Sequence, residues 1–309
     1  MVVYRDLESI EADLQISLKQ LYTLSNELDC HYHMAEIPKR CGGVRRLCVP
    51  DESLKYVQRR ICEVLLVHMP ISPYATAYRY GAKTRFNALP HVGKKCILKL
   101  DISHFFDSIL YSQVKESAFP ESIYSEKIRV LLSILCYYKE SLPQGAPTSP
   151  AISNIIMREF DEAVGEWCNE RGIAYTRYCD DMTFSGDFIP AEVRSFVGHE
   201  LKKYGFFLNP AKTKTAQRGT RQTVTGIVVN EKTNLPSEYR KRLMQELYYC
   251  RKFGVYEHIK RIQAGDSVDV YLKRLLGRVN YVLSVRPDDT EMLNYRSWLI
   301  GEMKIQANR

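Results

Sequence analysis

The stretch 177-RYCDDMTFSG-186 decides how this chain is read. Residues 173-IAYTRYC-179 and 182-MTFSG-186 have the composition of two strands, so the spacing predicts a hairpin with Asp180 and Asp181 at its tip. Adjacent carboxylates repel unless something positive neutralises them. Upstream, 96-CILKLDI-102 reads as a short buried strand ending in a third carboxylate, Asp101. Neighbouring strands of one sheet can bring such ends together, and three converging carboxylates call for hard divalent cations such as Mg²⁺, which prefer oxygen ligands. Two such ions, roughly 3.5 to 4 Å apart, activate a hydroxyl and stabilise a leaving oxygen in phosphoryl or nucleotidyl transfer. Taken alone, an acidic pair in a turn is commonly no more than solvated decoration.

The rest of the composition is compatible with such an enzyme. At 309 residues the chain is long enough for two domains or one elaborated domain, and 45% hydrophobic with 26% charged residues is ordinary for a globular protein. The net charge of +8 matters less than its placement. Basic residues crowd 39-KRCGGVRR-46, 79-RYGAKTRFNALPHVGKK-95, 202-KKYGFFLNPAKTKTAQRGTR-221 and 239-YRKRLMQELYYCRK-252, several with aromatic residues interleaved. That is the pattern of a surface that follows phosphates and stacks on bases. The nine cysteines include no C-x-x-C pair, so neither a disulfide framework nor a zinc ribbon is supported, and 30-CHYH-33 lacks a partner at zinc spacing. Charges come too early in MVVYRDLESIEADL for a signal peptide, and 130-VLLSILCYY-138 is too short to span a bilayer. No membrane role is expected, and the cytoplasm is the default location.

Leucines and isoleucines at spacings of three and four predict one amphipathic helix over residues 6–29. A hairpin around Gly42-Gly43, a helix from Asp51 to about His68 and helices near 122–138 and 150–170 follow, the last two separated by the loop 141-SLPQGAPTSP-150. A helix near 190–204 and strands near 212–216 and 222–229 complete an α+β unit. Beyond Pro236 the pattern turns helical, at about 237–253, 268–284 and 288–303.

These segments resemble a known family. The tetrapeptide 178-YCDD-181 is similar to the Y-x-D-D motif of reverse transcriptases, 97-ILKLDISHFFDSI-109 to their first catalytic strand, and 142-LPQGAPTSPAISNI-155 to the loop and helix between the two. They occur in the family's order and at its spacing. Within the family, 87-NALPH-91, 224-VTG-226 and 277-GRVNYV-282 resemble segments of bacterial retron enzymes, and the likeness runs from about residue 30 to about 285. The fold implied is a right-hand polymerase of α+β class. It has an N-terminal helix and fingers over 1–95, a palm with an antiparallel sheet over 96–235 that includes fingers elements between 110 and 150, and a helical thumb over 236–309.

The resemblance also implies roles. Asp101, Asp180 and Asp181 would be the catalytic residues and hold two Mg²⁺ ions. Phe106 would be the aromatic gate beneath the incoming sugar, since a ring packed against C2′ leaves no room for a ribose hydroxyl. Strand alternation would turn only one of Phe105 and Phe106 inward. Gln144, beside the flexible Gly145, would line the pocket for the deoxynucleoside triphosphate; Lys39 and Arg45 would grip the triphosphate; Lys212, with Lys214 as a rival, would sit near the leaving group. Asn87, His91, Thr225 and Gly226 mark the retron-like segments as structural supports or nucleic-acid contacts, and Arg278 and Asn280 would lie on a thumb helix that touches nucleic acid. Cys179 stands where Ala or Met is more usual, which makes the site a target for thiol reagents.

The function implied is RNA-directed DNA synthesis on a cognate structured non-coding RNA. It would be primed from a guanosine 2′-hydroxyl to give a branched product, msDNA, in a phage-defence system with a separate effector protein. Alternatives within the family are group II intron-like, diversity-generating or abortive-infection reverse transcriptases. A different class is an RNA-binding scaffold that restrains an effector.

Overall fold

The computed structural model describes residues 3–38, 42–263 and 265–307. Two compact units emerge, one formed by residues 1–82 and 98–215, the other by 83–97 and 216–309.

The first unit is built on a four-stranded sheet. A hairpin of β1 (Tyr32–Pro38) and β2 (Val44–Pro50) stands apart from it, in register from Tyr32 opposite Pro50 to Pro38 opposite Val44. The sheet contains β3 (Cys96–Asp101), β4 (Ala174–Tyr178), β5 (Asp181–Gly186) and β6 (Lys214–Gln217) in the order β4-β5-β3-β6. Met182 and Phe184 of β5 are fully buried, as are their neighbours Thr183 and Ser185, and β3 is buried along its length except at half-buried Lys99. A strand buried on both faces reads as a continuous apolar run, which is why 96-CILKLDI-102 was legible. Helices Glu126–Cys136, Ser149–Ile156, Arg158–Asn169 and Pro190–Lys203 contribute Leu132, Ile152, Phe160 and Val197 to the same core. Each such side chain, fully buried, contributes about 1.5–3 kcal/mol.

Several local expectations change. Residues 6–29 form three helices, Leu7–Leu14, Leu18–Asn26 and Leu28–His31, instead of one. Gln15 turns into the left-handed region (φ 57°) and the Ser17 hydroxyl caps the next helix by accepting from Gln20 N. The apolar spacing survives the break because Leu14, Leu21 and Leu24 still enter one core. Asp51 does cap a helix, Glu52–Val64, accepting from Leu54 N at 2.9 Å, and a 3₁₀ turn at Leu66–His68 completes that segment. The segment near 150–170 is two helices meeting at Met157. A helix at Tyr111–Ala118 was not anticipated.

The second unit gathers helices Ser237–Phe253, Val255–Arg261, Val268–Val285 and Thr290–Ala307 around Leu243, Leu247, Tyr271, Leu275, Val279 and Leu299. The expected strand near 222–229 is a minimal hairpin, β7 (Thr223–Val224) and β8 (Ile227–Val228). Its turn residues Thr225 (φ 45°) and Gly226 (φ 83°) both have positive φ, the geometry a two-residue hairpin turn needs. Ala88, Ile97, Val224, Ile227 and Val229 share the core of the C-terminal helices. Among the described residues no helix is long and apolar enough to cross a membrane.

Candidate active site

Antiparallel pairing of β4 with β5 sets Tyr178 opposite Asp181 and leaves Cys179 and Asp180 as the two-residue turn. Cys179 carries the turn's strain, with φ 62°. Asp101 ends β3, and the backbone draws these ends together: Ile102 N donates to the Asp180 carbonyl at 3.1 Å. A second segment is registered against the same strand end, with Asn209 N donating to Asp101 O at 2.8 Å and Ser103 N to Phe207 O at 2.8 Å. The Asn209 side chain accepts from Ala211 N and starts the 3₁₀ turn Pro210–Lys212, which delivers Lys212 to the carboxylates.

Lys212 Nζ lies 2.8 Å from Asp101 Oδ2. Lys214, the rival in sequence, is exposed on β6. The Asp101 carboxylate is almost wholly buried, and its other oxygen, Oδ1, has no hydrogen-bond partner. Asp181 keeps a solvent-facing side, yet its carboxyl is raised to about 6 by lost hydration and then by repulsion from Asp180 and Asp101; Lys212 and Lys99 partly offset this. Hydrogen bonding to Asp101 in turn holds Lys212 above the usual lysine range. Among the described residues no three His, Cys, Asp or Glu side chains are drawn close enough to form a finished metal site. The Lys212 ammonium supplies positive charge to this cluster through its contact with Asp101. A buried, unpartnered carboxylate oxygen, an all-oxygen donor set and a carboxyl raised by its neighbours together fit a hard divalent cation.

Of the nucleotide-side candidates, Phe106 and Gln144 are brought near each other, while Arg45 and Lys212 lie elsewhere. Phe105 enters the core against Phe206 (5.5 Å between ring centroids), while Phe106 is only partly buried. A 3₁₀ turn at Phe106–Ser108 separates them, not the strand alternation anticipated. Leu142 N donates to the Phe106 carbonyl, Gln144 Nε2 reaches Asp107 Oδ1 at 3.5 Å, and Cys48 N donates to the Gln144 carbonyl. The 141–150 loop is thus tied both to the Phe106 turn and to β2. Gly145, at φ 140°, is required there, because a Cβ would meet the Cys48 carbonyl oxygen at 2.8 Å. A cavity of about 740 Å³ runs along this junction, lined by Tyr32, Arg46, Cys48, Asp107 and Gln144 among others. Arg45 is exposed on β2 opposite Ile37; its neighbour Arg46 lines the cavity and pairs with Glu36 at 3.2 Å. Lys39 lies outside the described residues.

The retron-like segments meet each other. Asn87, in the short helix Thr84–Ala88, is buried and donates to Thr225 Oγ1 at 3.4 Å, and His91 is fully buried in the following 3₁₀ turn. Arg278 is paired with Glu246, which also accepts from Tyr271 OH, and its guanidinium lies over the Tyr239 ring. Asn280 faces solvent. The structure argues against the expected thiol sensitivity: Cys179 is only 7% exposed, and burial followed by the nearby Asp180 pushes its thiol up to about 12.

Lys99 was missed, although it lies two residues before Asp101 and so on the same face of β3. Burial lowers its ammonium and Asp181 partly restores it. Arg177 and Asp161, buried beneath the hairpin, were missed too; a charged residue inside the strand preceding the turn was the available signal.

Carboxylates at the meeting ends of a hairpin and a central strand, beside a lysine and on a fold of helices and antiparallel sheet, are those of a right-hand nucleic-acid polymerase. Residues 37–234 match the family model described as reverse transcriptase (RNA-dependent DNA polymerase). Similar curated proteins include the retron Mx65 reverse transcriptase of Myxococcus xanthus, 32% identical over 95% of this chain and 71% of that protein. The retron Ec83 reverse transcriptase of Escherichia coli is 29% identical over 96% of each. Among solved structures, a telomerase of Candida albicans in complex with telomeric RNA shares 13% identity at a TM-score of 0.48, over 88% of this chain and 63% of that one. The chain belongs to the reverse transcriptase family, and to its retron type, and is an RNA-directed DNA polymerase.

Proposed function

We propose that this polymerase copies a cognate structured non-coding RNA from a 2′-hydroxyl of an internal guanosine, giving a branched RNA–DNA product, msDNA, from deoxynucleoside triphosphates. The reading rests above all on the likeness to curated retron reverse transcriptases across nearly the whole chain. By the same resemblance the product and enzyme restrain a separate effector protein in defence against phage, within the cytoplasm. Asp101, Asp180 and Asp181 would hold two Mg²⁺ ions, which when bound supply positive charge to the attacking hydroxyl, the transferred phosphoryl group and pyrophosphate. The residues then have separable tasks. Lys212 steadies Asp101 and stands ready to offset charge on the leaving group. Phe106 excludes a ribose hydroxyl from beneath the sugar. Gln144, fixed through its carbonyl to β2, presents an uncharged amide to the nucleotide, and Arg45 on β2 would serve the triphosphate, with Lys39 its partner by the resemblance. In this scheme the first unit supplies fingers and palm, and the C-terminal helices act as the thumb.

The test is to express the chain with its native upstream DNA and run extracted nucleic acid on a denaturing gel before and after RNase and debranching treatment. A discrete single-stranded DNA that shifts on debranching is expected. If none appears while the purified protein still extends a DNA primer on RNA, the retron-specific priming fails and the polymerase assignment stands.

A further inference from the structure

Beneath the catalytic turn lies a charged network that the reaction scheme leaves unused. Arg177 and Asp161 are both fully buried and form a two-pronged pair, with Arg177 Nε donating to Asp161 Oδ1 at 2.8 Å and Nη2 to Oδ2 at 2.6 Å. Tyr175 OH donates to the same carboxylate at 2.7 Å, placed there by strand alternation two residues before Arg177. The remaining nitrogen, Nη1, spans two acceptors: Asn154 Oδ1 at 3.2 Å and the backbone carbonyl of Cys179 at 3.0 Å. Burial works against the guanidinium's charge, and the paired carboxylate more than offsets it, so Arg177 stays ionised.

A buried ion pair is a poor source of stability, since apolar side chains of similar volume commonly serve as well. What apolar side chains cannot do is hold a carbonyl. Cys179 is a non-glycine residue in the left-handed region, a conformation that persists only where its surroundings enforce it, and it immediately precedes Asp180. We propose that Arg177 is a positioning residue: anchored by Asp161, it fixes the Cys179 carbonyl and thereby the direction in which the Asp180 carboxylate points. Arg177 touches neither substrate nor reacting atoms. The proposal rests on the reading of Asp180 as a catalytic carboxylate.

Two variants and a control test it by primer extension on a generic RNA template. Arg177→Lys keeps the charge beside Asp161 but lacks the planar fork that reaches both acceptors. The triple variant Arg177→Met, Asp161→Leu, Tyr175→Phe removes the ion pair and the tyrosine hydroxyl together, so that no charge is left buried alone. Both should fold, with the triple variant melting at or above the wild-type temperature. Both should lose about 30- to 100-fold in kcat, the loss expected of a roughly 1 Å misplacement. The Mg²⁺ concentration for half-maximal rate should rise several-fold while the nucleotide KM stays within about twofold, a split that general loss of stability does not produce. Wild-type kcat and Mg²⁺ dependence in either folded variant would overturn the proposal, as would failure of both to fold, which would assign the network to stability alone. Asp180→Asn separates the two readings: if it retains synthesis, the reading of Asp180 fails, whereas if it is inactive and the Arg177 variants are normal, only the positioning role fails.

Discussion

Lys212 Nζ contacts one oxygen of Asp101 at 2.8 Å, while the other oxygen of that carboxylate is buried and without a partner. The ammonium neutralises one side of the carboxylate, and the proposed metal role falls to the other. Lys212→Met should lower kcat by about 10- to 100-fold, as loss of a charged stabilising group does. Because Lys212 lowers the Asp181 carboxyl, the acidic limb of the pH–rate profile should also move upward. A profile that keeps its position would separate Lys212 from the carboxylates.

Asp181 makes a second prediction about pH. Its carboxyl is raised from an ordinary 3.8 to about 6 by lost hydration, Asp180 and Asp101. Between those values the folded chain binds more protons than the unfolded one, so stability without metal should fall as pH rises through that window and level off above it. Asp181→Asn should abolish the fall and melt higher than wild type at pH 7 in EDTA. An unchanged slope between pH 4 and 6 in the variant would contradict the assignment.

Phe106 presents a partly buried ring while Phe105 is committed to the core. Phe106→Val should leave stability nearly unchanged and raise incorporation of ribonucleotides relative to deoxynucleotides by about 10- to 200-fold, the range one hydrophobic contact can discriminate. Competition between labelled nucleotides on one template measures it. The selectivity surviving intact would remove Phe106 as the gate.

The carboxylate hairpin, the strand ending in Asp101 and the proline-rich loop were legible because each is a short local pattern. Continuous apolar or β-favouring composition specifies β3, β4 and β5, and the turn falls where the acidic pair interrupts it. What sequence could not supply was the identity of partners across the chain. Periodicity carried leucines unbroken through Gln15, whose left-handed backbone has no signature in residue type. Nor could sequence distinguish Lys212 from Lys214, because the choice is made by the Asn209 turn registering against Asp101. Asn87 and Thr225 each belong to a recognisable segment, yet that one donates to the other is visible only in the fold.

That pairing yields a fourth prediction. Thr225 is β-branched at φ 45°, an unfavourable position, and its hydroxyl accepts from Asn87. Thr225→Gly relieves the backbone and loses the hydrogen bond, so the two effects should offset to within about 1 kcal/mol. Thr225→Val keeps the strain, loses the bond and should cost about 1 kcal/mol. The chain has two tryptophans, and a Trp167→Phe background leaves Trp298 to report unfolding of the second unit in urea. If Thr225→Gly destabilised more than Thr225→Val, the bond and the strain would have to be weighed differently.

The most direct test of the central claim is incorporation of deoxynucleotides on a primed RNA template by the purified wild type, Asp101→Asn and Asp180→Asn proteins, each first shown to melt cooperatively and to bind RNA. The account predicts Mg²⁺-dependent synthesis by the wild type and a loss of at least about 10³-fold in each variant, with RNA affinity retained, as expected when a group acting only in the transition state is removed. Synthesis within about tenfold of wild type by either folded variant would contradict it.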